Sequence, residues 1–307
     1  MPNALHIYTH PSCLAHDPGP GHPEAAFRLE AVLNATHALG HEVLTAPLAT
    51  RAMLARAHST ELLEQLFAHE NADVAMRIDP DTVIGPHSLN AALAAAGAGV
   101  AAVHDVLSGR AQRVFCAVRP PGHHATRSQA MGFCLLNSIA VAAYAALDAG
   151  IARVSIVDFD VHHGNGTQDI FWHEPRVQYL SSHQAPLYPG TGAADERGAS
   201  GNIVNAPLPR MAGSELFRAA YTQTILPAIA AFAPELILIS AGFDGHALDP
   251  LGGLNVDEDD FAWLTRSLCA QAKHSAQARV VSMLEGGYSA TALALCTRAH
   301  LLALIES

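Results

Sequence analysis

The sequence predicts an α/β fold in which a mainly parallel central sheet is flanked by helices on both faces. Three observations lead there. Short runs rich in Val and Ile alternate with longer Ala-rich stretches of helical composition, the order that builds βαβ units. The apolar runs read as buried strands, as expected of a parallel sheet covered on both sides. No low-complexity linker, fixed-period repeat or shift of composition divides the 307 residues, so a single domain over residues 1–307 accounts for the chain.

The elements follow in order. A helix is expected over Ser88 to Leu107, then a strand over Arg113 to Val118. A helix over Asn137 to Ala149 leads into a second strand, Arg153 to Phe159, and Val177 to Ser181 forms a third. Ser214 to Phe232 is the next helix, Glu235 to Ala241 the fourth strand, Asp257 to Lys273 a helix, Arg279 to Leu284 the fifth strand and Ser289 to Ile305 the last helix.

Polar clusters follow four of the five strands. Arg119-Pro-Pro-Gly-His-His124 follows the first, and Asp160 to Gly166, with His162, His163, Gly164 and Asn165, follows the second. Gly242-Phe-Asp244 follows the fourth, and Glu285-Gly-Gly-Tyr288 the fifth. In open α/β sheets the ligand crevice lies beyond the carboxyl ends of the strands, so the four clusters are expected to converge.

Composition narrows the function. Half the chain is apolar and 15% is charged, as in a globular enzyme and unlike a disordered tail. The balance of 17 Lys+Arg against 28 Asp+Glu gives −11 with no basic run, which argues against direct nucleic-acid binding. Five scattered cysteines without a CxxC pair indicate neither a disulfide framework nor a thiolate metal site, and fit a reducing compartment. The start, Met1 to His6, lacks the pattern of a signal peptide, and the apolar run Ala91 to Val103 is short for a bilayer span; no membrane partner and a cytoplasmic location are expected. Histidine is abundant: 19 residues, more than the permanent cations.

Asp158, Asp160 and His162 stand two apart, which on an extended segment turns their side chains to one side. Asp244, from another strand end, completes an Asp-His-Asp set. Oxygen and imidazole donors without thiolate suit Zn²⁺, with Fe²⁺ and Co²⁺ as alternatives, and three protein ligands leave a position for water. His123 and His124 follow a Pro-Pro-Gly turn and cannot both aim at one atom, so their roles should differ: one moves protons, and the other, oriented by a carboxylate, sets the local field. Tyr288, after two glycines that would let its loop swing, can bring a phenol over the metal as an oxyanion donor.

These segments, together with Gly132 to Asn137 and Gly21-His-Pro-Glu24 with Arg28, resemble the zinc-dependent histone deacetylase family, in particular its class II and bacterial members, the histone deacetylase-like and acetylpolyamine amidohydrolases. The resemblance spans nearly the whole chain and implies the arginase/deacetylase fold. It implies that Asp160, His162 and Asp244 hold Zn²⁺, one ion per chain, that His124 is the general base and acid, and that His123, paired with Asp158, is its electrostatic neighbour. It further implies that Tyr288 polarises the scissile carbonyl, that Phe133, preceded by Gly132, and Tyr188 wall an acyl-lysine tunnel, and that Leu251 lies at the substrate rim. Asn165 stands where class I members carry Asp beside the base. Main-chain oxygens around Asp158, Asp160 and His162, with Ser181, would hold K⁺. The implied reaction is hydrolysis of an acyl-lysine side chain to a carboxylate and free lysine.

Three rival readings differ at named positions. A binuclear manganese ureohydrolase needs further aspartates where Gly164 and His246 stand. An acetylpolyamine amidohydrolase of the eukaryotic branch carries Glu after the Asp-Pro that follows the last ligand, where this chain has Leu251 after Asp249-Pro250; bacterial polyamine enzymes achieve selectivity otherwise, including through dimer-restricted entrances. A catalytically silent acyl-lysine binding protein would have lost a ligand, the base His or the Tyr, and none is lost here. The expected partners are an acyl-lysine peptide or protein, or an acetylated polyamine, with a homo-oligomer also in view. Among the remaining histidines, His37, His41, His58, His69, His104, His274 and His300 are expected to face solvent, and His10, His16 and His22 to lie in an N-terminal loop at the pocket rim.

Overall fold

A computed structural model of the chain describes residues 5–70 and 74–307, so the reading of the first four residues lies outside the described residues. The described residues form ten strands: β1 Leu5–Thr9, β2 Leu44–Thr45, β3 Met76–Arg77, β4 Val83–Ile84, β5 Arg113–Cys116, β6 Val154–Asp158, β7 Val177–Gln184, β8 Ile203–Leu208, β9 Leu236–Ala241 and β10 Val280–Leu284. Eight of them form one sheet in the order β2-β1-β5-β10-β9-β6-β7-β8, with every pairing parallel, and β3 and β4 form a small antiparallel ribbon. The expected α/β architecture is therefore observed.

The five expected strands include the four neighbours at the sheet centre, β5, β10, β9 and β6. Their registers are level: Met283 pairs with Cys116 and with Ser240, Leu284 with Ala241, and Asp158 with Ser240. The four polar clusters thus leave the sheet side by side at one edge, which is how residues more than 160 positions apart come together.

β1, β2 and β8 were not expected from the sequence. β2 has two residues, and β8 carries Asn205 and Pro207, the latter tolerated because an edge strand leaves an N–H position unpaired. The helix Ala26–Ala38 also lacks a sequence signal, since its cap residue Ala25 makes no side-chain hydrogen bond. The expected helix over 214–232 is interrupted by a π-helical turn, Tyr221–Ile225, that ends two residues before Pro227, whose missing N–H and bulky ring are incompatible with a regular α-turn.

The apolar run read as Ala91 to Val103 belongs to a longer helix, Ser88–Ser108, of 21 residues. By length and composition it could cross a membrane, but 78% of its apolar window is buried inside the protein, which makes it a core helix. Gly97 within it has a packing reason: an added Cβ would overlap the backbone of Pro47.

Two histidines expected at the surface are in the interior. His300 is fully buried among Phe115, Phe159 and Phe243, with ring centroids 5.7, 6.2 and 5.8 Å away. Its Nδ1 lies 2.6 Å from Thr265 Oγ1 and its Nε2 2.9 Å from Ser282 Oγ. Because Thr265 donates to Phe261 O, Nδ1–H donates to Thr265 and Nε2 accepts from Ser282, which fixes a neutral tautomer. His58 likewise bonds Thr126 O through Nδ1 and accepts from Asn137 N through Nε2. Burial pushes His300 down to about 3 and His58 to about 4. Both rings satisfy backbone or hydroxyl partners that an apolar side chain would leave orphaned.

This burial has a defined pH signature. The depressed pKa values mean that the unfolded chain binds more protons than the folded one, so stability is complete above about pH 6.5 and declines as pH falls toward 4 and 3. Replacing His300 by Gln should reduce the pH slope of unfolding free energy near pH 5 by about 1.4 kcal/mol per pH unit, whatever its effect on absolute stability. Urea titrations at several pH values measure this, and an unchanged slope would contradict the neutral buried assignment.

Candidate active site

β6 ends at Asp158, and the chain then bends through Phe159 to His162. The expectation of one extended ligand stripe is therefore corrected: Asp158 faces inward beneath the site, while Asp160 and His162 come from the bend. A straight strand would have spaced the groups evenly; the bend folds the second two over the sheet edge, where Asp244 meets them.

Asp160, His162 and Asp244 offer one ligand atom each within 4.8 Å of one another. His162 Nδ1 lies 3.1 Å from Asp160 Oδ1 and 3.2 Å from Asp244 Oδ2. Both carboxylates are fully buried. Burial and the charge of Asp160 push Asp244 up to about 7, whereas Asp160, despite its burial, is held far below the usual range by His123 and His162. Burial alone would suppress the charge of His162, but its hydrogen bonds with Asp160 and Asp244 raise it to about 10. Two carboxylates and one imidazole converging on one point are a donor set that suits a divalent cation, which would take the place of that proton. Gly286 completes the cradle: its N–H donates to Asp160 Oδ2 at 2.7 Å, and a Cβ there would overlap the oxygens of Asp160 and Asp244.

The adjacent histidines have different partners, as their backbone geometry required. His123 Nδ1 is 3.0 Å from Asp158 Oδ2. Burial opposes its protonation, but Asp158 and Asp160 outweigh this and raise it to about 10. His124 Nδ1 is 2.8 Å from Asn165 Oδ1; with that nitrogen donating, Nε2 is left as the acceptor. Burial, followed by the charges of His123 and His162, pushes His124 well below the ordinary range and keeps it neutral. Glu285 holds the turn before the pair: Oε2 accepts from Gly122 N at 2.6 Å and from His123 N at 3.2 Å.

A cavity of about 270 Å³ opens onto these groups, lined by His124, His162, Tyr288, Gly132, Phe133, Tyr188 and Leu251, all named from the sequence, and by Asp81 and Leu187, which were not. Phe133 and Tyr188 form aromatic walls, Phe133 with its ring 5.9 Å from that of Tyr288 and Tyr188 edge-on to His124 at 5.1 Å. Phe133 sits at φ 67°, and Gly132 before it at φ 57°, where a Cβ would lie 2.6 Å from the His124 ring. Asp81 and Leu187 gave no sequence signal because neither belongs to the four strand-end clusters expected to converge.

Tyr288 and its loop make several contacts with their surroundings. Its N–H donates to Asp249 Oδ2 at 2.6 Å, while Asp249 Oδ1 accepts from Leu251 N at 2.9 Å, so one carboxylate ties the tyrosine to the rim. Arg28 donates to the carbonyls of Gly287 and Glu285, and its guanidinium lies 4.7 Å from the centre of the Tyr288 ring. Arg28 and Arg119 are both clamped on buried Glu24; burial opposes the Glu24 charge, but Arg119, His16 and Arg28 hold its carboxyl well below the usual range.

The other expectations resolve as follows. His16 is buried, 3.2 Å from Glu24, and belongs to this network, not to the rim. His22 packs edge-on against Phe133 at 4.7 Å, and its Nε2 lies 3.0 Å from Asp81 O. Ser181 is buried with Oγ 2.9 Å from His183 Nδ1; the K⁺ expectation rests on the resemblance alone. His246 is 3.3 Å from Glu258 and outside the ligand group, and a Cβ at Gly164 would overlap Asp158 and lie 2.5 Å from Tyr179 OH. Neither place can supply a carboxylate for a second metal without rearrangement.

Comparison with known proteins agrees with this geometry. The histone deacetylase domain matches residues 22–304. The chain is 37% identical over 292 residues to a probable deacetylase of Archaeoglobus fulgidus, covering 92% of this chain and 81% of that protein. It is 37% identical over 281 residues to the histone deacetylase-like amidohydrolase of Pseudomonas aeruginosa, covering 89% and 73%. The crystal structure of the HDA15 HD domain matches with a TM-score of 0.94 at 34% identity, over 99% of this chain and 89% of that one. The chain therefore belongs to the histone deacetylase family of hydrolases, on the arginase/deacetylase fold.

Proposed function

We propose that the chain is a zinc-dependent amidohydrolase that removes acetyl or another short acyl group from the side-chain amine of acyl-lysine in peptides or proteins. The observation that carries this reading is that a neutral His124, the Tyr288 phenol and His162 open onto one and the same cavity between two aromatic walls. The donor set of Asp160, His162 and Asp244 fits Zn²⁺, which when bound supplies a Lewis acid and makes water acidic enough to attack near neutral pH.

The residues then divide the work. Phe133 and Tyr188 enclose the acyl-lysine stem and exclude water from it. Tyr288 donates its hydroxyl proton as a hydrogen bond to the carbonyl oxygen, where negative charge develops. His124 accepts the proton of the attacking water at Nε2 while Asn165 holds Nδ1–H, and the same nitrogen then protonates the departing amine. His123, charged by its ion pair with Asp158, limits the basicity of His124.

An acetylated polyamine is the second substrate in view, favoured by one observation: the Asp81 carboxyl lines the cavity and suits a cationic tail. Leu251 at the same rim is apolar and favours a peptide. The lining retains the base and the phenol, which a silent binding protein would not need.

With an acetyl-lysine peptide, Tyr288→Phe is expected to lower kcat by about 10²–10³ and His124→Ala by about 10²–10⁴, both with bound zinc retained. His162→Ala should lose the zinc itself, as measured by elemental analysis. Near-native turnover in either of the first two variants would remove the assigned role. A parallel panel of acetyl-lysine peptides and acetylputrescine is expected to favour the peptides, and Leu251→Glu to shift the ratio toward acetylputrescine by about tenfold through a rim charge. Turnover of acetylputrescine alone would replace the peptide reading by the polyamine one.

A further inference from the structure

We propose that Tyr179 is a positioning residue for this reaction: its hydroxyl fixes the Asp158 carboxylate and, through it, the His123 ring against His124. The proposal rests on the deacylase reading for its role in turnover, and on geometry for the contact itself.

Tyr179 lies within β7, fully buried, and its backbone is used up by the pairings with β6 and β8. Packing alone does not call for tyrosine here. Phe would fill the same space, and a phenol taken out of water is costly unless its hydroxyl finds a partner. That partner is Asp158 Oδ2, at 3.0 Å. Tyr179 is level with Ile156 on β6, so the ring reaches toward the carboxyl end of the sheet to meet a side chain two residues further on.

Asp158 is consequently held by three donors. Oδ1 accepts from Asp160 N at 3.2 Å, and Oδ2 accepts from both His123 Nδ1, at 3.0 Å, and Tyr179 OH. A carboxylate rotates in a broad torsional well, so one contact to the histidine would leave its plane poorly fixed. Two donors on one oxygen and one on the other determine it. The His123 ring is in turn 4.0 Å from the His124 ring, centre to centre, so its orientation sets the field at the proton-transferring imidazole. Gly164 provides the room: a Cβ there would lie 2.5 Å from the Tyr179 hydroxyl and overlap Asp158 Oδ2. Neither Tyr179 nor Asp158 lines the cavity, so the effect belongs in kcat and not in substrate binding.

The test compares zinc-loaded full-length protein and Tyr179→Phe on an acetyl-lysine peptide. The variant is expected to lose about tenfold in kcat, with KM within about twofold and zinc content unchanged, as for one hydrogen bond to a charged group. In an Asp158→Asn background, Tyr179→Phe should have no further effect, because the hydroxyl acts through that carboxylate. Equal losses in both backgrounds, or a rise in KM without loss of kcat, would overturn the proposal. An independent readout is the downfield proton signal of the His123 Nδ1–H, identified by its loss in Asp158→Asn: Tyr179→Phe should shift or broaden it, and an unchanged signal would refute the contact's role. A wild-type protein without deacylase activity would remove the reaction assigned above, while the proton signal would still decide whether Tyr179 orients the pair.

Discussion

Asp158, Asp160, Asp244 and Glu285 are buried together at the carboxyl ends of the central strands, and compensation of their charge organises everything around them. Isolated carboxylates in a low-dielectric interior would be strongly destabilising or would stay protonated. Here each has a separate answer. Asp158 is met by His123 and Tyr179, Glu285 by the N–H groups of the Pro-Pro-Gly turn, and Asp160 and Asp244 by His162 and the cation their donors fit. A second layer repeats the arrangement further out, where Glu24 is closed by Arg28 and Arg119 and the remaining donors of Arg28 hold the loop of the phenol. The residues proposed to perform the chemistry are the inner face of a charge-compensation network.

That network explains why the loops are built as they are. A carboxylate can be reached by several donors only if nothing bulky intervenes, and Gly164 and Gly286 stand where a methyl group would collide with the oxygens. These two glycines serve close approach. Tyr288 is accordingly held by a carboxylate on one side and a guanidinium on the other, which places its hydroxyl without cost at the moment of reaction.

Histidine abundance covers two opposite uses of one side chain. His123 and His162 sit against carboxylates, where the paired charge outweighs burial. His58 and His300 sit against hydroxyls and backbone groups, where burial wins and the rings remain neutral. Composition and local spacing treat these residues alike; His300 stands in an ordinary helical stretch, and its partners Ser282 and Thr265 lie 18 and 35 positions away on other elements. The surface expectation failed there for that reason.

The sequence by itself determined the parallel sheet and the four strand-end clusters, and it pointed to the Asp160-His162-Asp244 group and to different partners for the two adjacent histidines. These are carried by local patterns: an apolar run that must be buried, then polar residues at fixed short offsets that the strand end delivers to one crevice. The edge strands β2 and β8 left no such pattern, because an edge needs neither length nor continuous apolar character. Only the tertiary structure decided that Asp158 faces inward while Asp160 turns to the ligand group, that Asp81 and Leu187 close the cavity, and that Tyr179, Glu285 and Arg28 support it. Each of those assignments depends on which groups meet across the sheet, from the 21 positions between Tyr179 and Asp158 to the 259 between Arg28 and Gly287. A hydrogen bond is specified by distance and direction in space, and the chain reveals its partners only after the strands have aligned.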